Sequence, residues 1–209
     1  MYNKSKKCGL QAVYLSWSNC NQPEKQSDIA LQPPCEECKT WQLEPLPPGC
    51  SVVGCTWTYT KKFDADRSLS RYKAWLVAQG FSQIPSQDFN DTFSPVMRLE
   101  SFRNLIAMAA ILDLELGQMD ITGMYLNSYL KEEIYMCQPT GFDDGTGRVC
   151  QLLRTLYGLK QSGCEWNNRL NDHLVNKLDY TLFDNIDHCI YFQQHGNSFP
   201  FIAICTAWR

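Results

Sequence analysis

Residues 51–63 read SVVGCTWTYTKKF and residues 71–79 read RYKAWLVAQ, and the reading of this pair decides the fold. In the first run Val53, Cys55, Trp57 and Tyr59 alternate with Gly54, Thr56 and Thr58; in the second, Tyr72, Ala74, Leu76 and Ala78 share one side of a two-residue period. Such alternation, rich in β-branched and aromatic residues, predicts strands. With Asp64 to Ser68 as the turn, the two runs make a β-hairpin with cations around its tip. Downstream, Phe102, Leu105, Met108, Ala109 and Leu112 recur at three- and four-residue spacing and predict a helix over 101–114, with Ser101 as its N-cap. Short strands follow at 116–121, 133–138 and 148–153. A second helix is defined by Trp166, Leu170, Leu174 and Leu178, and final strands lie around 189–192 and 199–205, joined through His195-Gly196-Asn197. Strands and helices mixed without regular βαβ alternation predict an α+β fold, and no internal repeat is visible.

The 209 residues, 44% apolar and 20% charged, suffice for one globular domain with a real core and argue against a disordered chain. Residues 1–40 are polar, without sustained period, and are expected to be irregular or weakly ordered. The longest apolar runs, 105–112 and 199–205, fall short of the roughly 20 residues of a membrane span, and Lys4, Lys6 and Lys7 have no apolar stretch behind them to make a secretory signal. The expectation is an intracellular protein, cytoplasmic or nuclear, with no membrane partner. Eleven cysteines cannot all pair internally, and without an export signal a reduced interior is the better reading. Cys137, Cys150, Cys189 and Cys205 sit at apolar strand positions and are read as small hydrophobes. Cys35-Glu36-Glu37-Cys38 has no second ligand pair, so a zinc or redox role is not expected of it. The net charge of -3 gives no global basic field. Any case for nucleic-acid binding is therefore local and rests on Lys61, Lys62, Arg67, Arg71 and Lys73 of the hairpin, for which a solvated surface is the alternative.

Asp120 stands at the end of an apolar strand, followed by Ile121-Thr122-Gly123 and Tyr125. A carboxylate there is a poor structural choice unless it is paired, liganded or caps the next turn.

The chain as a whole carries an ordered set of motifs: Trp41-Gln42-Leu43-Glu44-Pro45-Leu46-Pro47-Pro48-Gly49, Arg71-Tyr72-Lys73-Ala74-Trp75-Leu76-Val77-Ala78-Gln79-Gly80-Phe81, Thr92-Phe93-Ser94-Pro95-Val96, Gln118-Met119-Asp120, Tyr125-Leu126-Asn127 and Leu156-Tyr157-Gly158-Leu159-Lys160-Gln161-Ser162. Together they resemble the reverse transcriptase of copia-type retrotransposons, from about Trp41 to Ile204. The resemblance implies the fingers and palm of a right-hand polymerase over 41–209, with an antiparallel sheet and packed helices, incomplete before the thumb. It implies an RNA or DNA template–primer and deoxynucleoside triphosphates as partners, within a retrotransposon polyprotein, and two-metal phosphoryl transfer with magnesium.

By position, the resemblance makes Asp120 the first metal-binding aspartate, with the Ile121 carbonyl as a further ligand. Tyr125 takes the aromatic place beneath the incoming sugar, where a ring excludes a 2'-hydroxyl; core packing is its plainer role. Arg71 and Lys73 take the finger positions near the triphosphate, and Tyr157, Gly158, Lys160, Gln161 and Ser162 the segment on the nucleotide and template side, with a loop capping the following helix as the alternative. The sequence departs from the family where a final Asp-Asp turn is expected. Cys205-Thr206-Ala207-Trp208-Arg209 has no acid, with Ala207 and Trp208 at the aspartate positions. Trp75, Cys164, Met124 and Arg67 replace the usual Arg, Arg, Ala and turn Gly. The expectation is a truncated or decayed copy with little activity of its own; the alternative is a non-catalytic nucleic-acid-binding or interaction remnant.

Overall fold

The computed structural model describes residues 12–15, 40–114, 116–119, 121, 123–193 and 201–204; for 12–15, 71, 73, 118 and 119 it describes the backbone alone. In chain order the elements are β1 (Ala12–Leu15), β2 (Trp41–Glu44), β3 (Val52–Val53), β4 (Cys55–Phe63), β5 (Leu69–Ala78), α1 (Leu99–Ile111), β6 (Leu116–Met119), β7 (Tyr129–Met136), β8 (Val149–Arg154), α2 (Ser162–Asp172), β9 (Thr181–Leu182), β10 (Ile190–Phe192) and β11 (Phe201–Ile204). The chain forms two compact units, one of residues 22–93 and 123–166, the other of residues 1–21, 94–122 and 167–209.

In the first unit β4 and β5 pair antiparallel from Cys55 opposite Ala78 to Lys62 opposite Arg71, as the alternation predicts. The hairpin's root is buried and its tip is not. Leu76 and Ala78 join Val53, Ile134, Met136, Cys150, Leu152, Leu156 and Leu159 in one apolar cluster, while Tyr59, Phe63, Leu69 and Tyr72 are exposed. At roughly 1.5–3 kcal/mol for each large aliphatic side chain removed from water, this cluster is what holds the hairpin down. Beneath it lies a four-stranded sheet in the order β2-β8-β7-β3, in which β2 and β7 flank β8 antiparallel and β3 joins β7 in parallel. Gly54 interrupts the predicted 51–63 strand, so that Val52 and Val53 serve the sheet and Cys55 onward the hairpin.

The second unit holds a five-stranded sheet in the order β6-β1-β11-β10-β9. Here the structure corrects the expectation of an antiparallel sheet: β1 runs parallel to both β6 and β11, and only the β11-β10-β9 part is antiparallel. The long connections between β1 and its two neighbours allow the crossovers that parallel pairing requires. β1 lies within the stretch expected to be irregular, because a four-residue apolar run is too short to show a period. Leu105 of α1 packs with Ile190 and Ala203, flanked by Met97, Phe183 and Phe201.

Two helix ends differ from expectation for identifiable reasons. α1 begins at Leu99, and Ser101 lies buried within its first turn rather than capping it. A distant carboxylate tethers the start instead: Asp187 accepts the Arg98 N–H at 2.9 Å and, through its other oxygen, the Cys189 N–H at 3.0 Å. After α2 the chain widens into a π turn at His173–Lys177, where the Leu178 N–H reaches back to the His173 carbonyl. The extra residue per turn rotates the register, so Leu174 is buried and Leu178 is exposed. The helix at 101–114 stops at Ile111, and Asp113 turns left-handed with φ 52°. The His195-Gly196-Asn197 turn lies outside the described residues, as do Cys35, Cys38 and Cys205.

At the hairpin tip Arg67 adopts φ 66°, the left-handed conformation that an L side chain resists by about 1–2 kcal/mol. Glycine relieves that strain but adds freedom to the unfolded chain worth about 0.4–1 kcal/mol. Arg67→Gly should therefore stabilise the protein by about 0.5–1 kcal/mol, read as a higher urea midpoint; an unchanged or lower midpoint contradicts the strain.

Candidate active site

Tyr125 sits on a 3-10 turn, Met124–Asn127, that opens at Gly123 in the left-handed conformation, φ 60°. The turn is fastened at several points to the end of β8. The Tyr125 carbonyl accepts hydrogen bonds from the Thr155 hydroxyl and from the Ser128 N–H. The Thr155 N–H donates to the Ser128 carbonyl at 3.0 Å, and Arg154 donates from Nη1 to the Leu126 carbonyl at 3.1 Å. The Arg154 guanidinium also stacks over the Tyr129 ring, 4.6 Å from its centroid. Thr155 and Ser128 are fully buried, so these bonds form away from water, where leaving one unmade costs about 1–3 kcal/mol. The Tyr125 ring is half-buried and meets Tyr157 edge to face, centroids 4.9 Å apart, and burial holds its phenol above the usual tyrosine range.

Tyr157 and Gly158 make a turn that lies against the exit of the hairpin. The Ala78 N–H donates to the Tyr157 carbonyl at 2.7 Å. Gly158 has φ 93°, and a Cβ there would stand 2.1 Å from the Ala78 carbonyl oxygen; a Cβ on Gly80 would stand 2.1 Å from the Gly158 carbonyl oxygen. Two glycines thus let two backbones touch, which no side chain permits.

Beyond the turn Gln161 is fully buried, and its amide is engaged on every side. Its Nε2 donates to the Asp88 carbonyl at 2.9 Å and approaches Glu132 Oε2 at 3.5 Å, while its Oε1 accepts from Gln83 at 3.1 Å. Gln83 accepts the Lys160 N–H at 2.9 Å, and the Asp88 carboxylate takes the Ile84 N–H at 2.7 Å and the Ser51 hydroxyl at 3.2 Å. Gln83, Asp88, Thr155 and Arg154 were not identified from sequence. Each is a polar residue whose partner lies far along the chain, and local spacing carries no trace of that.

A family model described as reverse transcriptase (RNA-dependent DNA polymerase) matches residues 38–206. The chain belongs to the reverse transcriptase family. Among curated proteins it is similar to the retrovirus-related Pol polyprotein from transposon RE2 of Arabidopsis thaliana, 38% identical over 173 residues, which cover 79% of this chain and 11% of that protein. The corresponding protein from transposon RE1 of the same plant is 37% identical over 173 residues, with the same coverage. That from transposon TNT 1-94 of Nicotiana tabacum is 38% identical over 161 residues, 76% of this chain and 12% of that protein. The copia-type reading of the motifs stands with these relatives, of whose length the chain spans about a tenth. No solved structure matches it.

Within this reverse transcriptase domain the sequence-derived residues fall unevenly. Tyr125, Tyr157, Gly158, Lys160 and Gln161 belong to one unit, with Lys160 exposed and its Nζ 5.5 Å from the Phe89 ring. Ser162, fully buried, donates its hydroxyl to the Leu156 carbonyl at 2.5 Å and so closes the loop before α2. Arg71 and Lys73 occupy alternate positions of β5 in the same unit, opposite Lys62 and Thr60. Ile121, half-buried, belongs to the other unit, and Asp120 lies outside the described residues. Among the described residues no three His, Cys, Asp or Glu side chains are grouped to hold a metal ion, and no helix is long and apolar enough to cross a membrane.

Gly158→Ala is the sharpest test of this arrangement. A methyl group driven into the Ala78 carbonyl from a positive-φ position should cost about 3 kcal/mol or more in urea unfolding. Stability within 1 kcal/mol of the parent would refute the contact.

Proposed function

We propose that this domain supplies the fingers and palm of a polymerase site, holding a primer–template and an incoming deoxynucleoside triphosphate, and that it transfers the nucleotide at a negligible rate. The β4–β5 hairpin corresponds to the fingers, where Arg71 and Lys73 would offset triphosphate charge. Tyr125 would lie beneath the deoxyribose and exclude a 2'-hydroxyl. Support for this comes from its fastening through Thr155 and Arg154, since a ring that discriminates one oxygen atom has to be held in place. Tyr157, Gly158 and Lys160 would line the nucleotide and template side. Gln161 would contribute by fixing the backbone of Lys160 through Gln83, since its own amide is engaged within the protein.

The observation that carries the low activity is the text after β11, where Cys205-Thr206-Ala207-Trp208 contains no acid. Asp120 and the Ile121 carbonyl would be the groups to offer oxygen to a magnesium ion, which prefers an octahedron of carboxylate, phosphate and water oxygens. One carboxylate does not fit the family's paired-ion chemistry, which needs ions roughly 3.5–4 Å apart. The charge stabilisation so lost is several kcal/mol, and at about 1.4 kcal/mol per factor of ten the rate falls by several orders of magnitude.

Primer extension by the purified chain with magnesium or manganese should yield no template-dependent product. Filter binding of the same primer–template should show retention that falls steeply between low and high salt, as phosphate contacts require. Clear extension would overturn the loss of catalysis, and salt-independent or absent retention would overturn the binding function.

A further inference from the structure

Of the described cysteines read from sequence as small hydrophobes, Cys150 and Cys189 are indeed buried. Two others are placed differently. Cys55 opens β4 at the root of the hairpin, Cys137 follows the last residue of β7, and their Sγ atoms stand 3.6 Å apart although 82 positions separate them in the chain. We propose that Cys55 and Cys137 are a modification site, a thiol pair that a two-electron oxidant of the hydroperoxide class joins into a disulfide tying the hairpin root to the four-stranded sheet. The inference is independent of the nucleotide reading.

The backbone around the pair is fixed by sheet hydrogen bonds. β3 and β7 run parallel with Val53 opposite Met136, and the Cys137 N–H donates to the Val53 carbonyl at 3.0 Å. The Cys55 thiol also lies 3.5 Å from the Cys137 carbonyl oxygen. A disulfide needs about 2.05 Å between sulfurs, so the two have roughly 1.5 Å to close, a distance that side-chain rotation covers. Both residues are half-buried, which leaves a small oxidant access that the fully buried Cys150 on the neighbouring strand lacks.

The chemistry balances with one peroxide. The thiolate of one cysteine attacks a peroxide oxygen, the O–O bond breaks, and a sulfenic acid and one water form. The second thiol attacks that sulfur, the S–O bond breaks, and the hydroxide leaves as water with the thiol proton. Two electrons pass from the sulfurs to the peroxide, and two thiols plus hydrogen peroxide become a disulfide and two waters. Burial pushes the Cys55 thiol up to about 12, so attack by Cys55 is slow at neutral pH and quickens as pH rises. Once made, the bond closes a long loop and constrains the unfolded chain.

The test uses the full chain, reduced, exposed to hydrogen peroxide at pH 8.5, alkylated, and digested without reduction. Tandem mass spectrometry should find Cys137 bonded to Cys55 and not to Cys50, which shares the Cys55 tryptic peptide. The melting midpoint should rise by roughly 5–10 °C and return on reduction. Cys137→Ser should abolish both changes. A map with either cysteine bonded elsewhere, or with both left as thiols while other cysteines oxidise, overturns the proposal; the map on the unaltered chain decides the matter even if the variant does not fold.

Discussion

A contact between two stretches of backbone governs the unit that carries Tyr125 and the hairpin. The Ala78–Gly80 exit of β5 and the Tyr157–Gly158 turn approach so closely that neither Gly80 nor Gly158 has room for a Cβ. From this contact the hairpin's direction is set, because its root is clamped while its tip projects. The Tyr157 ring is set as well, and through it the place of Tyr125. A glycine pair gives a junction of low tolerance: apolar clusters absorb a methyl group by repacking, whereas carbonyl oxygens held in a hydrogen-bonded turn do not.

Around that junction the contacts described are hydrogen bonds, many of them to backbone carbonyls, rather than ion pairs. Gln161, Gln83 and Asp88 bind the segment at 159–162 to the loop at 83–88, and Thr155 with Ser128 binds the Tyr125 turn to β8. Such bonds carry direction but little field, so they position a ring and a backbone without attracting a ligand. In the proposed function, attraction would fall to the hairpin cations and chemistry to the carboxylates. The segments that the proposed function assigns to nucleotide binding are thus held by many contacts, while Cys205-Thr206-Ala207-Trp208 has no acid at the positions where the resemblance expects aspartates. Scaffold and chemistry are separable because packing depends on many residues and the reaction on very few.

The hairpin was legible in the sequence because its period of two extends over many residues and because Asp64 to Ser68 is rich in turn formers. The α+β class followed from the mix of periods. What could not be read were features fixed by residues distant in sequence. The start of α1 depends on Asp187, and Ser101, a good capping residue by local rules, is buried instead. The exposure of Leu178 depends on one extra residue in a helical turn. The parallel strands β1 and β3 are four and two residues long, below the length at which any period shows. Motif resemblance singled out Tyr125, Tyr157, Gly158 and Gln161 but not the residues that hold them, since Thr155 and Gln83 carry no distinctive neighbours. The role of Gly158 was legible only in kind. The close approach it permits is, within the protein, an approach to the hairpin.

The central claim is that this reverse transcriptase domain carries one half of an ion clamp. Manganese binding counted by electron paramagnetic resonance, without nucleotide so that no triphosphate brings its own ion, measures the clamp directly. The account predicts at most one bound ion per chain, removed by Asp120→Asn. Two tightly bound ions per chain, both lost in that variant, would contradict it.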